Sequence, residues 1–138
     1  MGEVRTSRTF ERTVASLEEI FEFIGQFFAD ASIPERHLFP VQFAVEELFT
    51  NQVKYAAGGH APILVAMCRD ETALHVSVTD YGVPRFDVRE APEAAVDTPI
   101  EARRPGGLGI HLLKKMVDEI AYDYVGGTST TTITKSLR

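Results

Sequence analysis

The spacing of apolar residues changes period several times along this chain, and the changes mark its elements. Leu17, Ile20, Phe23, Ile24, Phe27 and Phe28 recur at three- and four-residue intervals, which is the period of a helix with one buried side. Ser16-Leu17-Glu18-Glu19 has the form of a capping box that opens this helix. Its stripe is heavily aromatic and suits either the chain's own core or a partner subunit. A second helix starts at Ser32 to Pro34, with Pro34 in the first turn. Pro40 is expected to interrupt or restart it, since proline in mid-helix loses a hydrogen bond. Its main body runs from about Val41 to Ala56, with Ala44, Val45, Leu48, Phe49 and Ala56 on one side and Gly58-Gly59 as the stop. A third helix spans Ile110 to about Glu119, with Ile110, Leu113 and Val117 as its stripe and Leu112 and Met116 beside it.

Between the helices the period drops to two. Val4 to Thr13 reads as a strand. Pro62 to Arg69 and Ala73 to Thr79 form a hairpin around Asp70-Glu71. In its second arm Leu74, Val76 and Val78 alternate with His75, Ser77 and Thr79, so one face is buried and His75 points outward. Ile120 to Val125 and Ser129 to Leu137 make a second hairpin around Gly126-Gly127. Ile133 and Leu137 are candidates for its core face. The order β-α-α-β-β-loop-α-β-β predicts an α+β fold: a two-layer sandwich of one mixed or antiparallel sheet with helices on a single face. Arg85 to Pro105 has little apolar periodicity and several prolines, the mark of a functional lid or a disordered loop. No internal repeat or domain boundary is visible, so residues 1–138 are read as a single domain.

Composition narrows the function classes. A chain of 138 residues with 44% hydrophobic content is long enough to bury a core. A net charge of -6 argues against direct nucleic-acid binding, which calls for a basic face. One cysteine, Cys68, cannot form an internal disulfide; it fits a reducing cytosol and a buried, inert thiol. No membrane span or signal peptide is evident, so a cytoplasmic protein is expected. Met1 to Thr6 matches the loose myristoylation pattern, which is too short to carry an assignment.

Three stretches carry candidate chemistry. On the second helix, about 100° per residue puts Glu47 and Asn51 about 40° apart at one margin of the apolar stripe, with Glu46 about 100° from Glu47 on the far side. A carboxylate and a carboxamide one turn apart suit a hydrated cation such as Mg²⁺, which takes oxygen ligands and keeps waters; a stripe flanked by ordinary polar residues is the plain alternative. Asp80-Tyr81-Gly82 follows directly on a strand end. Gly106-Gly107-Leu108-Gly109 leads into the third helix, where backbone N–H groups can approach an anion, although a flexible linker has the same composition.

The order of these motifs resembles the ATP-binding fold shared by gyrase-type ATPases, Hsp90, sensor histidine kinases and MutL. The resemblance covers about Leu17 to Leu137. Within that superfamily the chain looks like the small bacterial anti-sigma factor kinases. Phe43 to Ala56 resembles their first motif, Val78 to Asp87 their D-x-G-x-P-F-D motif, and Gly106 to Leu113 with Val117-Asp118-Glu119 their third.

The resemblance implies Mg²⁺ and ATP as cofactors and assigns roles. Glu47 is the general base on the attacking hydroxyl, and Asn51 the Mg²⁺ ligand. Asp80 accepts from the adenine amino group, and Gly82 gives the base room. The backbone of Gly106, Gly107, Leu108 and Gly109 cradles the phosphates beneath an ATP lid at about 83–105. Lys54 reaches phosphate, or is a solvated helix lysine, and Tyr55 lines the nucleotide pocket. Arg103 or Arg104 stabilises the γ-phosphate from the lid. Thr132 touches adenine through water. Partners implied are a STAS-type anti-anti-sigma protein, phosphorylated on serine or threonine, and a sigma factor, with a homodimer as the assembly. Histidine kinases of this fold typically carry asparagine where this chain has Glu47, and a carboxylate suits transfer to a hydroxyl. Neither a phosphoacceptor hairpin nor a transducer domain is seen in these residues. Pro84 replaces the second glycine of D-x-G-x-G, and Gln52 an alanine, which leaves lid conformation and turnover open. A nucleotide-loaded binding switch with little phosphotransfer fits the same motifs.

Overall fold

The computed structural model describes residues 3–56, 59–90 and 107–138. Five strands, β1 (Val4–Phe10), β2 (Ile63–Arg69), β3 (Ala73–Asp80), β4 (Glu119–Val125) and β5 (Thr128–Ser136), form one antiparallel sheet in the order β1-β2-β3-β5-β4. Three helices, α1 (Leu17–Asp30), α2 (Leu38–Tyr55) and α3 (Gly107–Met116), pack on one face, with α2 touching both others. This is the α+β two-layer arrangement that the pattern predicts.

Strand register decides which residues meet the helices. Val65, Val78 and Thr131 lie side by side, as do Met67, Val76, Ile133 and Ile120. These positions continue the row of Leu74, Val76 and Val78, which are all buried under the helices with Ile20, Ile24, Phe49, Ile110 and Leu113. Each such aliphatic or aromatic side chain contributes about 1.5–3 kcal/mol by leaving water. The opposite face carries Cys68, His75, Ser77, Thr132 and Thr134, and is open. A groove of about 510 Å³ lies on it, lined in part by Arg5, Ser7, Ala66 and Ser77. Cys68 is there, half-buried, rather than inside the core.

Several local expectations are corrected. Ser16 makes no capping bond to α1; its hydroxyl donates instead to the Glu11 carbonyl at 2.9 Å, and Thr13 caps the short turn before the helix. Pro40 does not break α2. The helix starts at Leu38, so Pro40 falls in the first turn, where its missing N–H has no intrahelical partner to lose. α3 starts three residues earlier than expected and ends at Met116. The Gly126-Gly127 hairpin holds, with positive φ at both glycines.

Candidate nucleotide site

The site lies where the C-terminal half of α2, the end of β3 and the start of α3 converge. The core-facing row of β3 does not stop at Val78; the next residue on that face is Asp80, whose side chain is fully enclosed. On α2 the stripe likewise passes from Leu48 and Phe49 into Asn51 and Gln52, both buried. A buried amide needs a partner. Gln52 finds Asp80, donating through Nε2 to Oδ2 at 2.7 Å. Asp80 Oδ1 accepts from Arg12 Nη2, and Arg12 Nη1 donates to the Gln52 carbonyl at 3.0 Å, at the C-terminal end of α2 where a cation suits the helix dipole.

Asn51 turns the other way. Its Nδ2 donates to the Glu47 carbonyl at 2.6 Å and to Glu47 Oε2 at 3.1 Å. Burial pushes the Glu47 carboxyl above its ordinary pKa, Asn51 opposes this, Glu46 adds to it and Lys54 opposes it. Glu46 is half-buried rather than fully solvated. Lys54 and Tyr55 are exposed at the end of α2; the charge of Lys54 is felt at Glu47.

Gly109 brings α3 to this pair. A Cβ built on it would collide with the Glu47 carboxylate, so a larger residue would have to displace that side chain. Gly107 starts α3, and the backbone of Leu108 belongs to it. Arg103, Arg104 and Gly106 lie outside the described residues, as does the side chain of Leu108.

Gly82 has φ +68, and a Cβ there would meet nothing within 4 Å. This turn leads into residues 83–90, which are tied to the β4–β5 hairpin. Val83 N donates to the Gly127 carbonyl at 3.0 Å, Tyr124 donates to the Val83 carbonyl at 2.7 Å, and Phe86 N donates to Tyr122 Oη at 3.0 Å. Asp87 is buried and accepts from Arg89 through both backbone and guanidinium, which holds its carboxyl below the usual range. The proximal part of the expected lid is therefore anchored, while 91–105 lies outside the described residues.

Thr132 is corrected by register. It pairs with Ser77 and Ala121 on the open face, away from Asp80. The neighbours on the helix side are Ser129, opposite Asp80, and Thr131, opposite Val78. Sequence reasoning also missed Arg12, Tyr122 and Tyr124. Gln52 carried a readable signal, since it lies four residues beyond Leu48 on the stripe; Arg12, 68 residues from Asp80, carried none.

A model of the histidine kinase-like ATPase domain matches residues 10–135. The chain belongs to this family. Its similarity to a serine-protein kinase, RsbW of Listeria monocytogenes, is 34% identity over 95 residues, or 64% of this chain and 60% of that protein. A Bacillus subtilis sensor histidine kinase, YxdK, is 30% identical over 84 residues, covering 58% of this chain and 26% of that protein. The chain thus spans between a quarter and three fifths of the length of these relatives. Among solved structures, the RsbU and RsbW domains of a Mycobacterium tuberculosis protein superpose with a TM-score of 0.67 at 18% identity, over 97% of this chain and 32% of that one. The histidine kinase AdeS of Acinetobacter baumannii gives 0.54 at 15%, over 96% and 68%. These two likenesses establish the fold.

The residues fit a Mg²⁺-nucleotide in kind. A buried carboxylate at the strand end, a glycine beside it with open space, a side-chain amide at the core edge and a helix that begins on Gly107 are the donor and acceptor types that a base, a divalent cation and phosphates need. Among the described residues there is no group of three or more His, Cys, Asp or Glu side chains able to hold a metal by themselves. No helix among the described residues is long and apolar enough to cross a membrane.

Proposed function

We propose that this domain is a Mg²⁺-ATP-dependent protein serine/threonine kinase and anti-sigma factor. In this reading it phosphorylates a STAS-type anti-anti-sigma protein, restrains a sigma factor, works as a homodimer in the bacterial cytoplasm and makes no direct nucleic-acid contact. The observation that carries the reading is the pair Glu47–Asn51 with Gly109 closed against it. Burial leaves Glu47 with a raised pKa, which makes it a better proton acceptor than a solvated glutamate. Asn51 holds its Oε2 and presents an amide oxygen to a cation.

When bound, Mg²⁺-ATP supplies the transferable phosphoryl group and screens its charge. Glu47 orients the incoming serine or threonine hydroxyl and takes its proton at a carboxylate oxygen. Asp80 reads the amino group of the base, Gly82 leaves it space, and the N-terminal backbone of α3 at Gly107 to Gly109 faces the phosphates. Lys54, Tyr55, Arg104 and Gly106 are assigned to the nucleotide by motif position. Thr131 replaces Thr132 in this assignment.

A second reading, a nucleotide-loaded switch with little phosphotransfer, draws on the fact that every motif residue except Glu47 serves nucleotide binding as readily as chemistry. Glu47→Ala separates the two. The kinase reading expects loss of transfer from γ-labelled ATP to a cognate STAS protein with nucleotide binding retained; partner regulation that survives this change without transfer would leave the switch.

A further inference from the structure

We propose that Arg12 is an internal competitor for Asp80, so that a purine base reaches this carboxylate only by displacing the guanidinium. The inference rests on the nucleotide reading of the site given above. Asp80 is fully enclosed, with Oδ1 taken by Arg12 and Oδ2 by Gln52. A small cavity of about 10 Å³ between α2 and the strand ends, lined in part by Asn51, Gln52, Ser129 and Thr131, lies near this carboxylate but is not lined by it. That is scarcely the space of one water. With both oxygens taken and the side chain enclosed, a base bonds Asp80 only by replacing one of these partners.

Arg12 is the group built to leave. It sits in the connector between β1 and α1, so moving it breaks no strand ladder and no helix. Its Nε is buried without a hydrogen-bond partner, so the closed arrangement leaves one donor unsatisfied. The guanidinium lies against Gly59, where a Cβ would collide with it; the glycine leaves the slot that the side chain occupies. An exocyclic amine of a purine offers the same kind of N–H donor to a carboxylate oxygen as Arg12 Nη2 does, so the exchange keeps Asp80 hydrogen-bonded. Gln52 holds the other oxygen throughout. Displacement also frees the Gln52 carbonyl from Arg12 Nη1, which unties the β1–α1 connector from the end of α2. Nucleotide loading and release of that connector are then one event.

Apparent affinity falls by the fraction of molecules in which Arg12 has left. Calorimetric titration of Mg²⁺-ATP into the wild type, Arg12→Met and Arg12→Lys tests this. The expected result is binding about tenfold tighter for Arg12→Met than for the wild type, as removal of a closed population implies, with Arg12→Lys between. A merely structural arginine predicts the opposite sign. Equal or weaker binding by a folded Arg12→Met overturns the proposal. Should that variant fail to fold, the wild type decides: phenylglyoxal labelling followed by mass spectrometry should find Arg12 shielded without nucleotide and modified once Mg²⁺-ATP is added. Labelling that stays the same or falls overturns the proposal as well. If Mg²⁺-ATP binds none of the three proteins, the nucleotide reading falls with it, whereas equal binding by all three removes the competitor alone.

Discussion

Asn51 donates its side-chain amide to both the carbonyl and the carboxylate of Glu47, one turn earlier on α2. The two residues therefore behave as one polar unit at the rim of an apolar core. The amide orientation is set by this bond, which leaves the Asn51 oxygen directed away from the carboxylate. Replacing Asn51 by alanine removes the one hydrogen bond that restrains the rise in the Glu47 pKa. The expected outcome of Asn51→Ala is loss of Mg²⁺-dependent nucleotide binding and a Glu47 carboxyl that titrates higher, read by calorimetry and by side-chain carbon NMR.

Stability should depend on pH through Glu47 with a defined sign. Burial raises its folded pKa above the ordinary 4.5. The folded state then holds the proton more tightly than the unfolded chain, so stability declines as pH rises from the unfolded value through the folded one. The penalty is greatest once the pH has passed the folded value. Glu47→Gln keeps an acceptor for Asn51 and removes the charge. Its melting temperature should exceed that of the wild type at neutral pH and match it at about pH 4 or below.

Asp87 carries the opposite sign. Its buried carboxylate is held below the ordinary 3.8 chiefly by the Arg89 side chain. Its contribution is present above the unfolded value and fades as pH falls through the folded one. Asp87→Asn should cost about 1.5–3 kcal/mol in urea denaturation at neutral pH, the usual range for a lost charged hydrogen bond. The difference should vanish in acid.

Two glycines in helices should respond differently to alanine. Gly25 sits inside α1 with nothing within 4 Å of an added Cβ, so Gly25→Ala should stabilise the domain by about 0.5–1 kcal/mol. At Gly109 the added carbon meets only the end of the flexible Glu47 side chain, which can swing aside, so the stability gain of an alanine is offset and the effect is read at Glu47 instead. Gly109→Ala should abolish phosphotransfer, because Glu47 is driven from its place. A denaturation series with a transfer assay reads both.

The segment after Gly82 should loosen when its anchors are cut. Tyr124→Phe deletes the bond to the Val83 carbonyl, and Tyr122→Phe removes the acceptor for Phe86 N. Each should cost about 0.5–1.5 kcal/mol. Hydrogen exchange at the amides of Val83 and Phe86 should speed up, while the amides of β2 stay protected.

Most elements were legible because their physics is local. The α1 and α3 stripes, the alternation in β3 and the two hairpins follow from periodicity and turn residues. Boundaries failed where a local signal met a tertiary one. Ser16 had the form of a cap, yet its hydroxyl is satisfied by Glu11. Pro40 looked like a break because the helix was started at Ser32 to Pro34, which put the proline in mid-helix; with Leu38 as the first residue it falls in the first turn and is harmless. Glu47, Asn51, Asp80 and Gly109 were singled out by spacing and motif order; Asn51 bonds Glu47 within α2, and the fold sets Gly109 against Glu47.

By itself the sequence determined the helix faces, the strand parity of β3, the order of elements and the types of group available to a nucleotide. These depend on residues within a turn or two of each other. Only the tertiary structure decided which threonine of β5 faces the helices and what stands against Asp80. Side chains alternate across a strand, so the pairing of Asp80 with Ser129 turns Thr131 inward and Thr132 outward, and a shift of one residue would have reversed them. Arg12 meets Asp80 because β1 lies beside β2 and β2 beside β3. That adjacency comes from burying one face of the whole sheet, a cooperative property that no single stretch of the chain contains.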